Sequence, residues 1–120
     1  MSLEKTDYIG YGVVFKESDY DGFEGLYQQI IEDELYDKYP VMRVCGTNNI
    51  SIVRDGVNGS YVFVGYILAY SDDNNGFDFV EFKQGIECDF NISKRLVDMF
   101  IDELGVAITP FKTMIFTHWS

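Results

Sequence analysis

The chain has 120 residues and a mass of 13.8 kDa, with 9 Lys plus Arg against 20 Asp plus Glu and a formal net charge of -11 at pH 7. Surface scaling for that mass gives ~6,600 Å² folded against ~20,000 Å² unfolded, enough for one hydrophobic core, and 47% hydrophobic residues exclude disorder driven by charge. About one uncompensated negative charge per ~600 Å² repels nucleic acid and anionic lipid, so direct binding to either is excluded.

The pattern reads as a single acidic α+β domain over residues 1–120, with the first ~6 residues flexible. No run approaches the ~18 apolar residues of a membrane span and Met1 to Asp7 lacks the apolar core of a secretion signal, so a cytoplasmic setting is expected. Residues 8–16 alternate Ile9, Tyr11, Val13 and Phe15 against Tyr8, Gly10, Gly12 and Val14, which predicts a strand whose glycines mark bends or close packing. From residue 23 to 38, Phe23, Leu26, Tyr27, Ile30, Ile31 and Leu35 recur at helical spacing. Asp21 is its expected N-cap with Glu24 completing a capping box, and Pro40 ends it through Tyr39.

Residues 41–45 and 49–54 are read as two short strands or a single bent one, followed by a tight connection at Asp55-Gly56 and Asn58-Gly59. The apolar run 61–70 is the central strand, and a polar turn at 71–76 returns the chain to a strand at 77–82. Ile92, Leu96, Val97, Phe100, Ile101 and Leu104 make the second helix, capped by Asn91 or Ser93 and closed by Gly105. Residues 111–119 alternate as a closing strand. The order β-α-β-β-β-β-α-β implies a mostly antiparallel sheet with two amphipathic helices on one face.

Motifs for catalysis are sparse. Gly10 and Gly12 lie inside a strand and do not open a helix, so they are not a phosphate loop. Cys45 and Cys88 are expected reduced and buried, and the single histidine, His118, is expected at the surface of a fraying end, a poorly held base. A calcium loop aligned on Gly76 places Phe82 where a bidentate glutamate belongs, so the segment is an ordinary hairpin turn. Asn58-Gly59-Ser60 and Asn91-Ile92-Ser93 are chance glycosylation matches in a chain read as unsecreted. No cofactor, metal site or enzymatic activity is expected.

The acids are unevenly placed. Glu17, Asp19, Asp21, Glu24, Glu32, Asp33, Glu34 and Asp37 follow one another without a lysine or arginine among them, and at the helix end only Lys38 compensates Glu32, Asp33, Glu34 and Asp37. Glu32, Asp33, Glu34 and Asp37 sit where the helix dipole disfavours anions, by tenths of a kcal/mol each, and the second helix repeats the reversal with Lys94 and Arg95 first and Asp98, Asp102 and Glu103 last. Read as a continuous helix of ~25 Å, residues 21–38 carry six acids where one DNA strand carries about seven phosphates, with a gap over 25–31. Nine tyrosines exceed what a small core buries, and Tyr20, Tyr36 and Tyr39 flank the acids as candidate contacts for an arginine-rich surface.

These features describe a non-catalytic interaction protein, an inhibitor or nucleic-acid mimic that binds a basic partner such as a nucleic-acid-binding enzyme. Phage anti-defence and toxin-immunity proteins share this size and charge, an analogy of composition alone. The alternative is a structural or assembly protein that homo-oligomerises, as a homodimer for instance, through its aromatic strands, with acidity serving solubility.

Overall fold

A computed structural model describes residues 5–18, 21–39, 50–55, 57–72, 90–105 and 111–119. The expected strands at 41–45 and 77–82, the turn residues 73–76, Cys45, Cys88, Asp19 and Tyr20 lie outside them, as do residues 1–4. In chain order the elements are β1 (Lys5–Lys16), α1 (Phe23–Glu32), α2 (Leu35–Lys38), β2 (Ile50–Arg54) and β3 (Tyr61–Asp72), then α3 (Phe90–Met99), which runs into a π-helical turn (Phe100–Leu104), and β4 (Lys112–Trp119). The fold is α+β, with an antiparallel sheet ordered β2-β3-β1-β4.

The helices pack on one face of that sheet. Phe23, Leu26 and Ile30 of α1, Leu35 of α2, and Met99, Phe100 and Leu104 of the second helical segment close over Phe15, Ile52, Val62 and Val64. Phe100 lies between Phe15 and Phe111, at ring separations of 5.9 and 5.8 Å. Each such side chain taken fully out of water contributes ~1.5–3 kcal/mol.

The opposite face closes on itself. Tyr61 faces Lys16 across the ladder and His118 faces Thr6, positions ten residues apart on β1 and ~33 Å apart on a straight strand. Yet the Tyr61 hydroxyl and His118 Nδ1 are 2.6 Å apart, and the rings of Phe63 and Phe116 lie 4.8 Å apart. The sheet therefore bends sharply between these points. Gly10, Gly12 and Gly65 are on the inside of the bend, next to a register shift at Ile9/Gly10. A Cβ on Gly12 would stand 2.2 Å from the Val64 carbonyl oxygen, and one on Gly65 would stand 2.3 Å from that of Tyr11. The Phe63 ring fills the space that Gly10 and Gly65 leave, 2.5 and 2.9 Å from where their Cβ atoms would be. Alternation gives the correct faces of β1, and its glycines the expected bends or close packing, but not the meeting with Gly65 of β3.

Two apolar faces explain the tyrosines. Tyr8, Tyr11 and Tyr66 are buried, and Tyr27, Tyr39, Tyr61 and Tyr70 are half-buried, so none of the described tyrosine side chains is fully exposed. The estimate that a small core could not take them assumed one buried face.

Three local expectations are corrected. The helix expected over residues 23–38 breaks at Asp33-Glu34, where Glu34 adopts φ 53°. Continuing at 100° per residue would turn Leu35 ~140° away from Ile30, and the break returns Leu35, 3% exposed, to the same core. Asp21 does not cap α1, because the N-cap is Gly22 at φ 82° with no side-chain hydrogen bond, so no capping box forms with Glu24. The second helix starts at Phe90, which places Asn91 and Ser93 inside its first turn and not ahead of it. Gly105 does end it, at φ 69°.

Gly12→Ala is expected to lose ~3 kcal/mol by urea denaturation, whereas Gly25→Ala, on exposed helix surface with nothing within 4 Å of the new methyl, gains ~0.5–1 kcal/mol. Equal effects at the two positions would refute the glycine bend. Ser51 Oγ is the one buried side-chain oxygen among the described residues without a partner, so Ser51→Ala is expected to stabilise by up to ~1 kcal/mol.

Candidate functional site

The described part of the acidic segment runs from the end of β1 through α1 into α2. The described carboxylates Glu17, Asp21, Glu24, Glu32, Asp33, Glu34 and Asp37 are all exposed, and none makes an ion pair among the described residues. The amphipathic spacing dictates this placement for Glu24 and Glu32, because Phe23, Leu26 and Ile30 take the buried stripe. Because the helix breaks, the acids do not form a ~25 Å rod. They form two groups, Asp21 with Glu24 at the start of α1 and Glu32, Asp33, Glu34 and Asp37 around the break, with α1 itself ~15 Å long.

Lys38 does not neutralise its neighbours. Its ammonium donates to Glu103, and that bond holds the Glu103 carboxyl below the ordinary carboxylate range and the Lys38 ammonium above its own. Tyr39 donates to the same Glu103 oxygen at 3.2 Å, and the Gln29 amide donates to the Glu103 backbone carbonyl at 3.0 Å. Glu103 thus ties α1 and α2 to the second helix. At the sheet side the Ile52 N–H donates to the Tyr39 carbonyl at 2.9 Å, and the Tyr27 hydroxyl donates to the Asp55 carbonyl at 2.7 Å. The acidic segment is therefore anchored at several points. Of the three aromatic candidates, Tyr39 is engaged with Glu103, while Tyr20 and the Tyr36 side chain lie outside the described residues. On α3 the reversed charges are partly paired, Lys94 with Asp98 at 3.0 Å.

A second locus is the mouth of the bent sheet. Asp55 is buried and accepts from the Val57, Asn58 and Ser60 N–H groups, each at 3.1 Å, and from the Ser60 hydroxyl at 2.6 Å. Burial pushes its pKa up, but the bonds from Ser60, Asn58 and Val57 together outweigh burial and hold the carboxyl below its usual range. Next to it, Tyr61 and His118 form their hydrogen bond. Burial raises the Tyr61 pKa above its ordinary value and lowers that of His118, with Asp55 partly opposing the latter. His118 is thus half-buried and held, not the surface residue expected. Cavities of ≈ 380 and ≈ 330 Å³ flank Tyr61, the first lined also by Asp55, Asn58 and Trp119, the second also by Val14, Lys16 and Phe116.

Chemically, this constellation is committed to structure. The Ser60 hydroxyl is bonded to Asp55 and His118 Nδ1 to the Tyr61 hydroxyl, so among the described residues Ser60 does not face the imidazole. Among the described residues, no three His, Cys, Asp or Glu side chains stand close enough to hold a metal ion. No described helix is long and apolar enough to cross a membrane. Sequence reasoning missed Glu103 as the tie between the helices, and Asp55, Tyr61 and His118 as neighbours at the mouth of the sheet. The one available signal was Asp55 ahead of an Asn-Gly-Ser turn, the pattern of a carboxylate that collects loop N–H groups. Comparison with protein-family models, curated proteins and solved structures gives no match.

Because His118 binds its proton less readily in the fold than in the unfolded chain, the unfolded state takes up more protons as pH falls from 6.5 towards the folded value. Stability is therefore expected to fall across that window, above the range in which Asp7, Asp55 and Glu103 titrate. Urea midpoints at about pH 7.5 and about pH 5.5 measure it: His118→Phe should flatten the difference, and an unchanged slope would rule His118 out as its source.

Proposed function

We propose that the protein is a non-catalytic interaction protein that binds a basic partner protein through the exposed carboxylates of residues 17–37. The observation that supports this most is that seven described acids of the segment are exposed and make no ion pair among the described residues, while Lys38, which directly follows the segment, is drawn off to Glu103. Their uncompensated field steers a cationic surface towards them and raises its association rate.

Glu34 adds a second argument. A non-glycine residue in the left-handed region costs ~1–2 kcal/mol, and Glu34 is exposed, so the side chain gives no packing in return. An acid is kept where folding alone favours glycine or asparagine, and strain of this kind is concentrated at binding sites. The anchoring through Tyr27, Gln29, Lys38 and Tyr39 pre-organises the segment, so little ordering entropy is lost on binding.

The partner is of the kind that otherwise holds nucleic acid, a basic enzyme that the protein would inhibit, as in a phage anti-defence or toxin-immunity setting in the cytoplasm. Two acidic groups at the ends of a short helix suit clusters of Arg and Lys better than an evenly spaced phosphate channel does, so the mimicry is of charge and not of helical repeat.

Two variants test the reading. Glu34→Gly is expected to raise stability by ~0.5–1 kcal/mol while weakening capture of a basic nuclease, and Glu32→Lys with Asp37→Lys should abolish capture at 50 mM salt, about the low-salt limit of screening. Capture that survives the double reversal would remove residues 17–37 as the binding surface.

A further inference from the structure

The loop that follows β2 folds around the Asp55 carboxylate and leaves a cavity of ≈ 380 Å³ against the end of β4. Asp55, Val57, Asn58, Ser60, Tyr61 and Trp119 line it, and its volume is in the range of small-ligand sites. Val57 is 46% and Trp119 48% exposed, while Asp55 is buried. Aliphatic and aromatic groups therefore flank the opening, and a carboxylate residue lies deeper.

Charge selects the sign of an occupant. No Lys or Arg lines this cavity, whereas Lys16 lines the second one, on the other side of Tyr61. Lys5, opposite Trp119 in the ladder, is paired with Asp7 at 3.4 Å. Asp55 is the one charged residue in the lining, and its field reaches both Tyr61 and His118, where it favours the protonated forms. An anion is repelled by that carboxylate and by a net charge of -11, and a cation is attracted by both.

Hydrogen bonding selects the kind of cation. Asp55 Oδ1 accepts from the Val57 and Asn58 N–H groups, and Oδ2 from the Ser60 N–H and hydroxyl, which fills the lone-pair positions of the carboxylate. The Tyr61 hydroxyl is engaged with His118, so the exposed Asn58 amide is the one side-chain acceptor of the lining left over. A primary ammonium, with three N–H groups to satisfy, would give up more hydrogen bonds to water than this lining returns. A trimethylammonium group has no N–H to satisfy. Its charge is spread over methyl surface, which suits aromatic walls beside a fixed negative charge.

We propose that the cavity lined by Tyr61, Trp119 and Asp55 binds a small organic cation bearing a trimethylammonium group, through cation–π contact with the two aromatic side chains and the charge of the loop carboxylate. The site does not depend on a partner at residues 17–37.

Trp119 is the single tryptophan of the chain, so its emission reports on the cavity directly. Choline, titrated in about 150 mM sodium chloride to screen the exposed acids, should shift that emission with a Kd of about 1 mM or tighter, the affinity open to seven non-hydrogen atoms, and calorimetry should return the same constant. The neutral alcohol in which carbon replaces the choline nitrogen, and ethanolamine, which keeps its N–H groups, should each bind at least about tenfold more weakly. Val57→Lys, at an exposed position of the lining, should abolish binding with an unchanged circular dichroism spectrum. Ile101→Lys, which adds the same charge at a 50% exposed position on the second helical segment, should leave binding intact. Vesicles of phosphatidylcholine identify the source of the group: co-sedimentation that is lost in Val57→Lys assigns it to a lipid headgroup, and choline binding without co-sedimentation assigns it to a free compound. No emission change or heat up to about 10 mM choline, equal binding of the neutral alcohol or of ethanolamine, or binding that survives Val57→Lys would each overturn the proposal.

Discussion

The packing of Phe63 over the side-chain-free surface of Gly10 and Gly65, with Gly12 against the backbone of Val64 and Gly65, is the contact on which the rest of the molecule depends. Without it the sheet could not bend, and without the bend Phe63 would not reach Phe116 nor Tyr61 reach His118. The bend turns what would be a solvated sheet face into a second core, in which Tyr8, Val53, Phe63 and Ile67 are buried. It also accounts for an aromatic content of 17% in a chain of this size, since both faces of β3 take large side chains. Glycine costs conformational entropy in a strand, and here the returned packing of several aromatic rings exceeds that loss.

A two-sided core leaves charge nowhere to go but the periphery. The helices need only narrow apolar stripes to cover their side of the sheet, and their outer surfaces are free to carry acids. The break at Asp33-Glu34 is the place where packing and charge meet: turning Leu35 inward forces the two acids before it outward, one of them in a strained conformation. Glu103 then fixes the geometry by taking the one nearby lysine and the Tyr39 hydroxyl. Exposed ion pairs add little to stability, so the consequence of the Lys38–Glu103 bond is chiefly electrostatic: it leaves the segment unneutralised.

Much of this was legible in the sequence and some was not, for physical reasons. Alternation in residues 8–16 and the apolar run from 61 to 70 identified β1 and β3, because strand periodicity is a local property. The amphipathic stripes and Gly105 located the helices, again from local spacing. The glycines of β1 marked bends or close packing, but the meeting with Gly65, the helix break and the Tyr61–His118 contact are invisible at that level: each depends on residues distant in sequence meeting in space. His118 shows it most clearly, since its position near the end of the chain suggested fraying, while Tyr61, 57 residues away, holds it. The unpaired state of the acidic segment likewise required knowing that Lys38 turns to a residue 65 positions on.

Amide spectra of the labelled protein titrated with an arginine-rich peptide test the acidic segment most directly, because they resolve acids by position instead of by total charge. Resonances of residues 17–37 should shift together at low salt and recover as salt is raised, while those around Asp102, an exposed carboxylate outside the segment, stay in place. Shifts spread evenly over all exposed carboxylates would show that the charge is a general solubilising property and would contradict a binding surface at residues 17–37.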